Sequence, residues 1–359
     1  MIQKPDQFCT GFPLSPQPNR ERKKKKQIAH LALPIAGLVI LLVIVGLAVG
    51  TQNSNTDDPS NTPELQRQSS SEAIRVKNLS SFNNFATDPS ESIMETEDAK
   101  GMITATDRVV STAEAARELI PSLGYCTQGS CVLGGFIRPS SSLSCGCPFE
   151  AGKVCVVLAA GDDAARDVDI VVTDPDGLTV AEDTETAASA KVVFLAEKSG
   201  QHRIVLRSYD TQSPVFCAAV VLEDGGARIP VKYLADAMAN LITMSAAFNA
   251  RLDMRLVSRS SDFALFGSLL SQGESFLLRD IAAGPYNHAV GAVGDADARE
   301  IDLTVTDSRT RSQIRAEHSG QPFGIVLFNG AEHPKVDIDV TLNESVEPSL
   351  VLAAMFEKR

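Results

Sequence analysis

Gly161-Asp-Asp-Ala-Ala-Arg-Asp-Val-Asp-Ile-Val-Val-Thr-Asp174 recurs without a gap as Gly294-Asp-Ala-Asp-Ala-Arg-Glu-Ile-Asp-Leu-Thr-Val-Thr-Asp307. Eight of the fourteen positions are identical and three more are conservative exchanges. The alignment extends in both directions. Ala151-Gly152 falls opposite Ala283-Gly284, and residues 214–223 fall opposite 348–357. Three blocks kept in register over this span identify an internal duplication.

Each copy reads as a set of short β-strands. Val154-Cys-Val-Val-Leu158, Val168-Asp-Ile-Val-Val172, Lys191-Val-Val-Phe-Leu195, Arg203-Ile-Val-Leu-Arg207 and residues 215–222 are β-branched runs bounded by turn residues. The second copy repeats them at 301–305, 324–328, 336–341 and 349–356. Asp174-Pro-Asp-Gly177 is a turn, with proline fixing one dihedral and glycine permitting a positive φ. Strands at this spacing predict a mainly β protein of two tandem antiparallel sandwiches. A helix is expected before each, over 112–120 and 231–248. Asp224-Gly225-Gly226 marks the boundary, giving domains at 105–224 and 225–359.

Phe149-Glu-Ala-Gly-Lys-Val154, then Asp167-Val-Asp-Ile-Val-Val-Thr-Asp-Pro-Asp-Gly177, then Lys198-Ser-Gly-Gln-His-Arg-Ile-Val-Leu206 resembles the bacterial pre-peptidase C-terminal domain. His202 stands where that family usually has tyrosine, and Asp307-Ser-Arg-Thr310 replaces the Asp-Pro-Asp-Gly turn in the second copy. The resemblance implies a jelly-roll-like sandwich that serves as an accessory or binding module on exported proteins.

The chain before the repeat has a different character. Arg20, Arg22 and Lys23 to Lys26 precede residues 28–50, an apolar stretch without formal charge. Twenty-three residues at ~1.5 Å rise span roughly 34 Å, enough to cross a bilayer core. Basic residues before a first span favour the cytoplasm. The expectation is a cytoplasmic tail at 1–27, an uncleaved signal-anchor helix in membrane lipid at 28–50, and an exocytoplasmic remainder. A cleaved secretory signal is the competing reading, but its apolar region is shorter. Residues 51–104, rich in Ser, Asn, Thr, Asp and Glu, read as a flexible stalk. Asn78 and Asn343 fit the glycosylation acceptor pattern.

Six of the seven cysteines, Cys126, Cys131, Cys145, Cys147, Cys155 and Cys217, fall in the first copy. In an exported domain they read as a disulfide framework. Cys155 with Cys217 is the expected pair, Cys126 with Cys131 could close a small loop, and four thiolates for zinc are the alternative. Asp162, Asp163, Asp167, Asp169, Asp174 and Asp176 are candidates for calcium or for structural bonding, with Asp295, Asp297, Asp302 and Asp307 in the second copy. Asp169 and Asp302 occupy the Asp-x-Asp position of the family that the first copy resembles, and the resemblance implies carboxylates bonded to turn amides or to a nearby arginine such as Arg166 or Arg299.

A net charge of -12 argues against nucleic acid as partner. Glycine-flanked serine, zinc-protease and phosphate-loop signatures are missing from the sequence. The sequence therefore points to a non-enzymatic envelope or surface protein that binds a protein, a polymer or further copies of itself. A structural subunit of a membrane complex and an exported enzyme with an unfamiliar site are the rivals. The second copy, without cysteines, is expected to be the one that meets the partner.

Overall fold

The computed structural model describes residues 97–209, 211–258 and 261–358. The predicted cytoplasmic tail, membrane anchor and most of the stalk lie outside these residues. Among the described residues no helix is long and apolar enough to cross a membrane.

Helix α1 (Glu97–Leu119) buries Ala99, Met102, Ala105, Val109, Val110 and Ala113, a spacing that lines one helical face. It begins well before the expected 112. Residues 97–104, read as the end of the stalk, are therefore helical, because Ala99 and Met102 have a sheet to pack on. Helix α2 (Val231–Leu252) buries Leu234, Met238, Leu241, Ile242 and Phe248, and runs four residues past its expected end. It stops where Asp253 turns left-handed at φ 53° and donates its amide to Phe248 and Asn249 carbonyls.

The first copy contributes β1 (Leu123–Tyr125), β2 (Val132–Ile137), β3 (Ser142–Phe149), β4 (Val154–Gly161), β5 (Asp167–Thr173), β6 (Thr179–Asp183), β7 (Ser189–Leu195), β8 (Gly200–Tyr209) and β9 (Val215–Asp224). The second repeats them as β10 (Met254–Leu256), β11 (Leu265–Leu270), β12 (Ser275–Ala282), β13 (Asn287–Gly294), β14 (Ala298–Asp307), β15 (Gln313–Glu317), β16 (Phe323–Asn329), β17 (Lys335–Ser345) and β18 (Ser349–Lys358). The duplication thus holds element by element, and among the described residues all strand pairing is antiparallel apart from one isolated bridge.

The two copies are joined rather than merely tandem. One ten-stranded sheet runs β16-β13-β18-β11-β2-β9-β4-β7, with β1 added to β9 and β10 to β18. Its centre is the β2–β11 pair, in which Leu133 faces Phe266. Two four-stranded sheets, β3-β8-β5-β6 and β12-β17-β14-β15, pack on this large sheet, as do α1 on β4 and β9 and α2 on β13 and β18. Strands β9 and β18 are consequently buried along nearly their whole length, which is why they read as unbroken apolar runs. β8, in an outer sheet, alternates buried and open positions. The expected boundary at 224–226 is a chain connection, while the sheet passes through it without a break.

Candidate functional site

Six of the ten nominated aspartates form three matched pairs across the repeat, Asp162 with Asp295, Asp169 with Asp302 and Asp174 with Asp307, and most of the ten are engaged by the fold. Asp162, just after β4, is buried. Its Oδ2 accepts the Phe216 amide at 2.8 Å and its Oδ1 the Ala164 amide at 2.9 Å. Asp295, its counterpart after β13, accepts the Leu350 amide at 2.8 Å and the Asp297 amide at 3.0 Å. Each carboxylate stitches the loop after one strand onto the last strand of its copy. The helices reinforce the same corner: Arg108 donates to the carbonyls of Gly161 at 2.9 Å and Asp162 at 2.8 Å, and Asn240 to that of Gly294 at 2.9 Å. Asp163 is exposed and pairs with Arg108 at 2.5 Å. Asp297 is hydrogen-bonded to the Tyr233 hydroxyl.

Asp174 and Asp307 form the second matched pair. Asp174 Oδ1 accepts the amides of Asp176 at 3.0 Å and Leu178 at 2.9 Å, and Asp307 Oδ1 those of Arg309 at 3.0 Å and Thr310 at 2.8 Å. The remaining oxygen differs. Lys198 holds Asp174 at 2.7 Å and Asp176 at 2.6 Å, whereas His333 Nδ1 holds Asp307 at 2.9 Å. Lys198 first, then the Leu178 amide, keep the Asp174 carboxyl below its usual range. His333 does so more strongly for Asp307, with help from the turn amides.

Asp169 and Asp302 do not bond turn amides, because both lie mid-strand, in β5 and β14, where the backbone amides serve the ladder. Asp302 is paired with His318 Nδ1 at 2.7 Å, while Arg299 reaches the Ala296 carbonyl at 3.3 Å. Burial, with Asp167 and Asp183 nearby, raises the Asp169 carboxyl, and Arg207 opposes this. Among the described residues no three His, Cys, Asp or Glu side chains come together as a metal-binding group.

The six cysteines of the first copy are unbridged thiols in this structure, five of them buried. Cys155 and Cys217 cannot be partners. Their strands β4 and β9 are neighbours, as expected, but Cys155 faces Glu223 while Cys217 faces Gly161. The antiparallel register separates them by six positions, roughly 20 Å, far beyond the reach of a disulfide. Cys145 and Cys147 share one face of β3 with sulfurs 3.6 Å apart. Burial pushes the thiols of Cys126, Cys131 and Cys155 up to about 12. Such thiols are poor nucleophiles in the folded protein.

One surface feature escaped the sequence reading. Asp107, Arg108, Ser111 and Thr112 of α1 face Ala188 and Ser189 at the start of β7 across an open groove of about 580 Å³. Its lining combines both signs of charge with three hydroxyls. Burial raises the Asp107 carboxyl. Helix and strand edge are brought together only by the tertiary fold, so no local pattern marks them. His202, by contrast, is core. It is buried between Phe149 and Phe194 and its Nδ1 lies 3.1 Å from the Gly200 carbonyl.

No protein-family model matches the sequence, and no curated protein matches it significantly. Among solved structures, the PBSX exported protein XepA aligns over 63% of this chain and 85% of its own at 10% identity, with a TM-score of 0.19. The tandem CBM22-1-CBM22-2 domain of Paenibacillus barcinonensis Xyn10C aligns over 66% and 99% at 8% identity and TM-score 0.18. The secreted serine protease VesC of Vibrio cholerae aligns over 61% and 47% at 11% identity and TM-score 0.18. Similarities this low define neither a family nor an activity.

Proposed function

We propose that the chain is a membrane-anchored envelope or surface protein whose duplicated β head is a rigid binding body for a protein or polymer. Each half is read as a jelly roll. The strand orders β2-β9-β4-β7 and β3-β8-β5-β6, repeated in the second copy, support this, since they are the two interleaved sheets of that topology. The apolar stretch at 28–50 beside its basic cluster supports the anchor.

The observation that carries a binding role is the α1–β7 groove on a head whose two copies share one sheet. Arg108 is already fixed by three hydrogen bonds to the loop beneath it, so the groove wall is preorganised. Its hydroxyls, of which that of Thr112 already donates to the Arg108 carbonyl at 2.9 Å, and the Asp107 carboxyl suit a hydroxylated polymer or an extended peptide. Because both copies share one sheet, the second copy does not stand apart as the partner-facing module. Cutting the chain at 225 would unpair β2 as well.

The test is crosslinked affinity capture of the full chain in mild detergent, comparing it with the groove-blocking double variant Ser111→Arg with Ser189→Arg. A partner or polymer retained by the wild type and lost in the variant supports the reading. Equal retention overturns the groove assignment, and a bare monomer under both conditions overturns the binding role. Protease protection of residues 97–358 in sealed cells tests the exocytoplasmic placement.

A further inference from the structure

The loop between β1 and β2 leaves and re-enters the large sheet at a single point. The Cys126 amide donates to the Val221 carbonyl at 3.0 Å, and the Val221 amide donates to the Cys131 carbonyl at 2.9 Å. One residue of β9 therefore takes its donor from one cysteine and its acceptor from the other. Both Cα atoms crowd the ladder position opposite Val221, the close approach that a disulfide requires. The two thiols are buried at 1% and 0% exposure and interact electrostatically.

The second copy makes the same neck without sulfur. There the Val257 amide donates to Met355 at 2.9 Å and the Met355 amide to Ala264 at 2.8 Å. Val257 and Ala264 thus occupy the places of Cys126 and Cys131. The cysteines are consequently not demanded by the backbone at this neck, since an apolar pair serves it equally.

What differs is the loop's task. Cys131 donates its amide to Gly267 of β11 at 2.7 Å, and Ser268 donates its hydroxyl to the Gly129 carbonyl at 2.8 Å. Thr127 binds the buried Glu223 through its amide and hydroxyl, both at 3.3 Å. The Cys131 and Ser268 bonds pin the first-copy loop to β11, the second copy's strand at the seam, and the Thr127 bonds tie it to β9.

We propose that Cys126 and Cys131 are joined by a disulfide that closes this loop and locks the seam between the two copies. The inference rests on the exocytoplasmic placement proposed above. The bond forms by thiol–disulfide exchange with a disulfide-carrying oxidant. The two cysteines give up two protons and two electrons, their sulfurs bond, and the oxidant's own S–S bond is cleaved to two thiols. Because the folded thiols are buried and weakly acidic, exchange takes place before the head closes. The bond is then shielded from reductants.

The experiment is a non-reduced peptide map of the full chain, blocked with N-ethylmaleimide during lysis and purified in detergent. A second sample is refolded from the reduced, unfolded state in glutathione redox buffer. The expected result is an intramolecular Cys126–Cys131 bridge in both. A bridge in the refolded sample alone, with both cysteines from cells recovered as maleimide adducts, would leave the pairing standing and overturn the placement. A refolded sample in which Cys131 pairs with Cys147, or in which neither forms a bond, overturns the inference. A double variant carrying the second copy's residues, Cys126→Val with Cys131→Ala, keeps the test independent of folding failure. Reduction of the unfolded chain, followed by refolding and melting in reductant, should lower the wild-type melting temperature on the order of 5 °C and leave that of the variant unchanged. Equal responses in the two proteins would overturn the inference.

Discussion

Leu133 of β2 stands directly across the ladder from Phe266 of β11, and the two occupy the same position of the two copies, 133 residues apart. Their neighbours obey the same exchange: Gly134 faces Leu265 and Gly267 faces Val132. The flanking backbone bonds are reciprocal too, from Cys131 to Gly267 at 2.7 Å and from Ala264 to Gly134 at 3.0 Å. A pseudo-two-fold axis therefore passes through the Leu133–Phe266 pair. In symmetry, the head is a C2 dimer written in one chain.

This geometry makes a prediction about the isolated first copy. Residues 97–224 alone would expose β2 as an apolar unpaired edge, a form that invites strand pairing. The self-complementary register lets β2 of one molecule pair with β2 of another around Leu133. Analytical ultracentrifugation should find this fragment at twice its monomer mass, and Leu133→Lys should abolish the dimer. A well-folded monomer at high concentration would contradict the axis as an interaction surface.

The repeat's shared glycines have a steric cause. A Cβ on Gly161 would sit 2.2 Å from the Ala165 Cβ, and one on Gly294 would sit 2.3 Å from the Ala298 Cβ. Neither neighbour can swing away, since a Cβ moves only with its backbone. Gly161→Ala and Gly294→Ala should each destabilise the head by about 1–3 kcal/mol in urea denaturation. A neutral result at either site would mean that the tight corner relaxes freely.

Cys217 lies outside the disulfide argument. It is fully buried opposite Gly161 on β9, and Val351 is its counterpart on β18. A buried unpaired cysteine behaves as a small apolar side chain. Cys217→Val should therefore change stability by less than about 1 kcal/mol, under oxidising and reducing conditions alike. A large loss confined to oxidising conditions would reveal a bond to Cys217 and break the register argument.

The strands legible in the sequence were those with β-branched runs, such as Val168-Asp-Ile-Val-Val172 and its copy, because their periodicity is local. β2 and β11 were not. Val132-Leu-Gly-Gly-Phe-Ile137 carries two glycines that weaken a strand pattern. Their reason appears only in three dimensions, where a Cβ on Gly135 would meet Leu143 at 2.8 Å and one on Gly134 would meet Phe216 at 2.9 Å. The early turns of α1 were hidden by their polar surroundings. The role of Asp174 was readable from Asp-Pro-Asp-Gly, whereas that of Asp162 depends on Phe216, 54 residues away. The groove between α1 and β7 is non-local in the same sense.

The final prediction concerns acid. Asp307 is buried, and His333, followed by the Thr310 amide, holds its carboxyl far below the ordinary value. A carboxyl depressed in the fold contributes its full stabilisation above the unfolded value near ~3.9, and that contribution is lost as pH falls through the folded value. Asp307→Asn removes this linkage along with the charge. The variant should be less stable than wild type at pH 7, and the gap should narrow progressively below about pH 4. His333→Ala, which removes the leading cause of the depression, should shift the wild-type acid transition upward without abolishing it. Urea midpoints measured from pH 7 downward decide the matter. A gap that stays constant across that range would show that Asp307 acts through its shape and amide bonds alone.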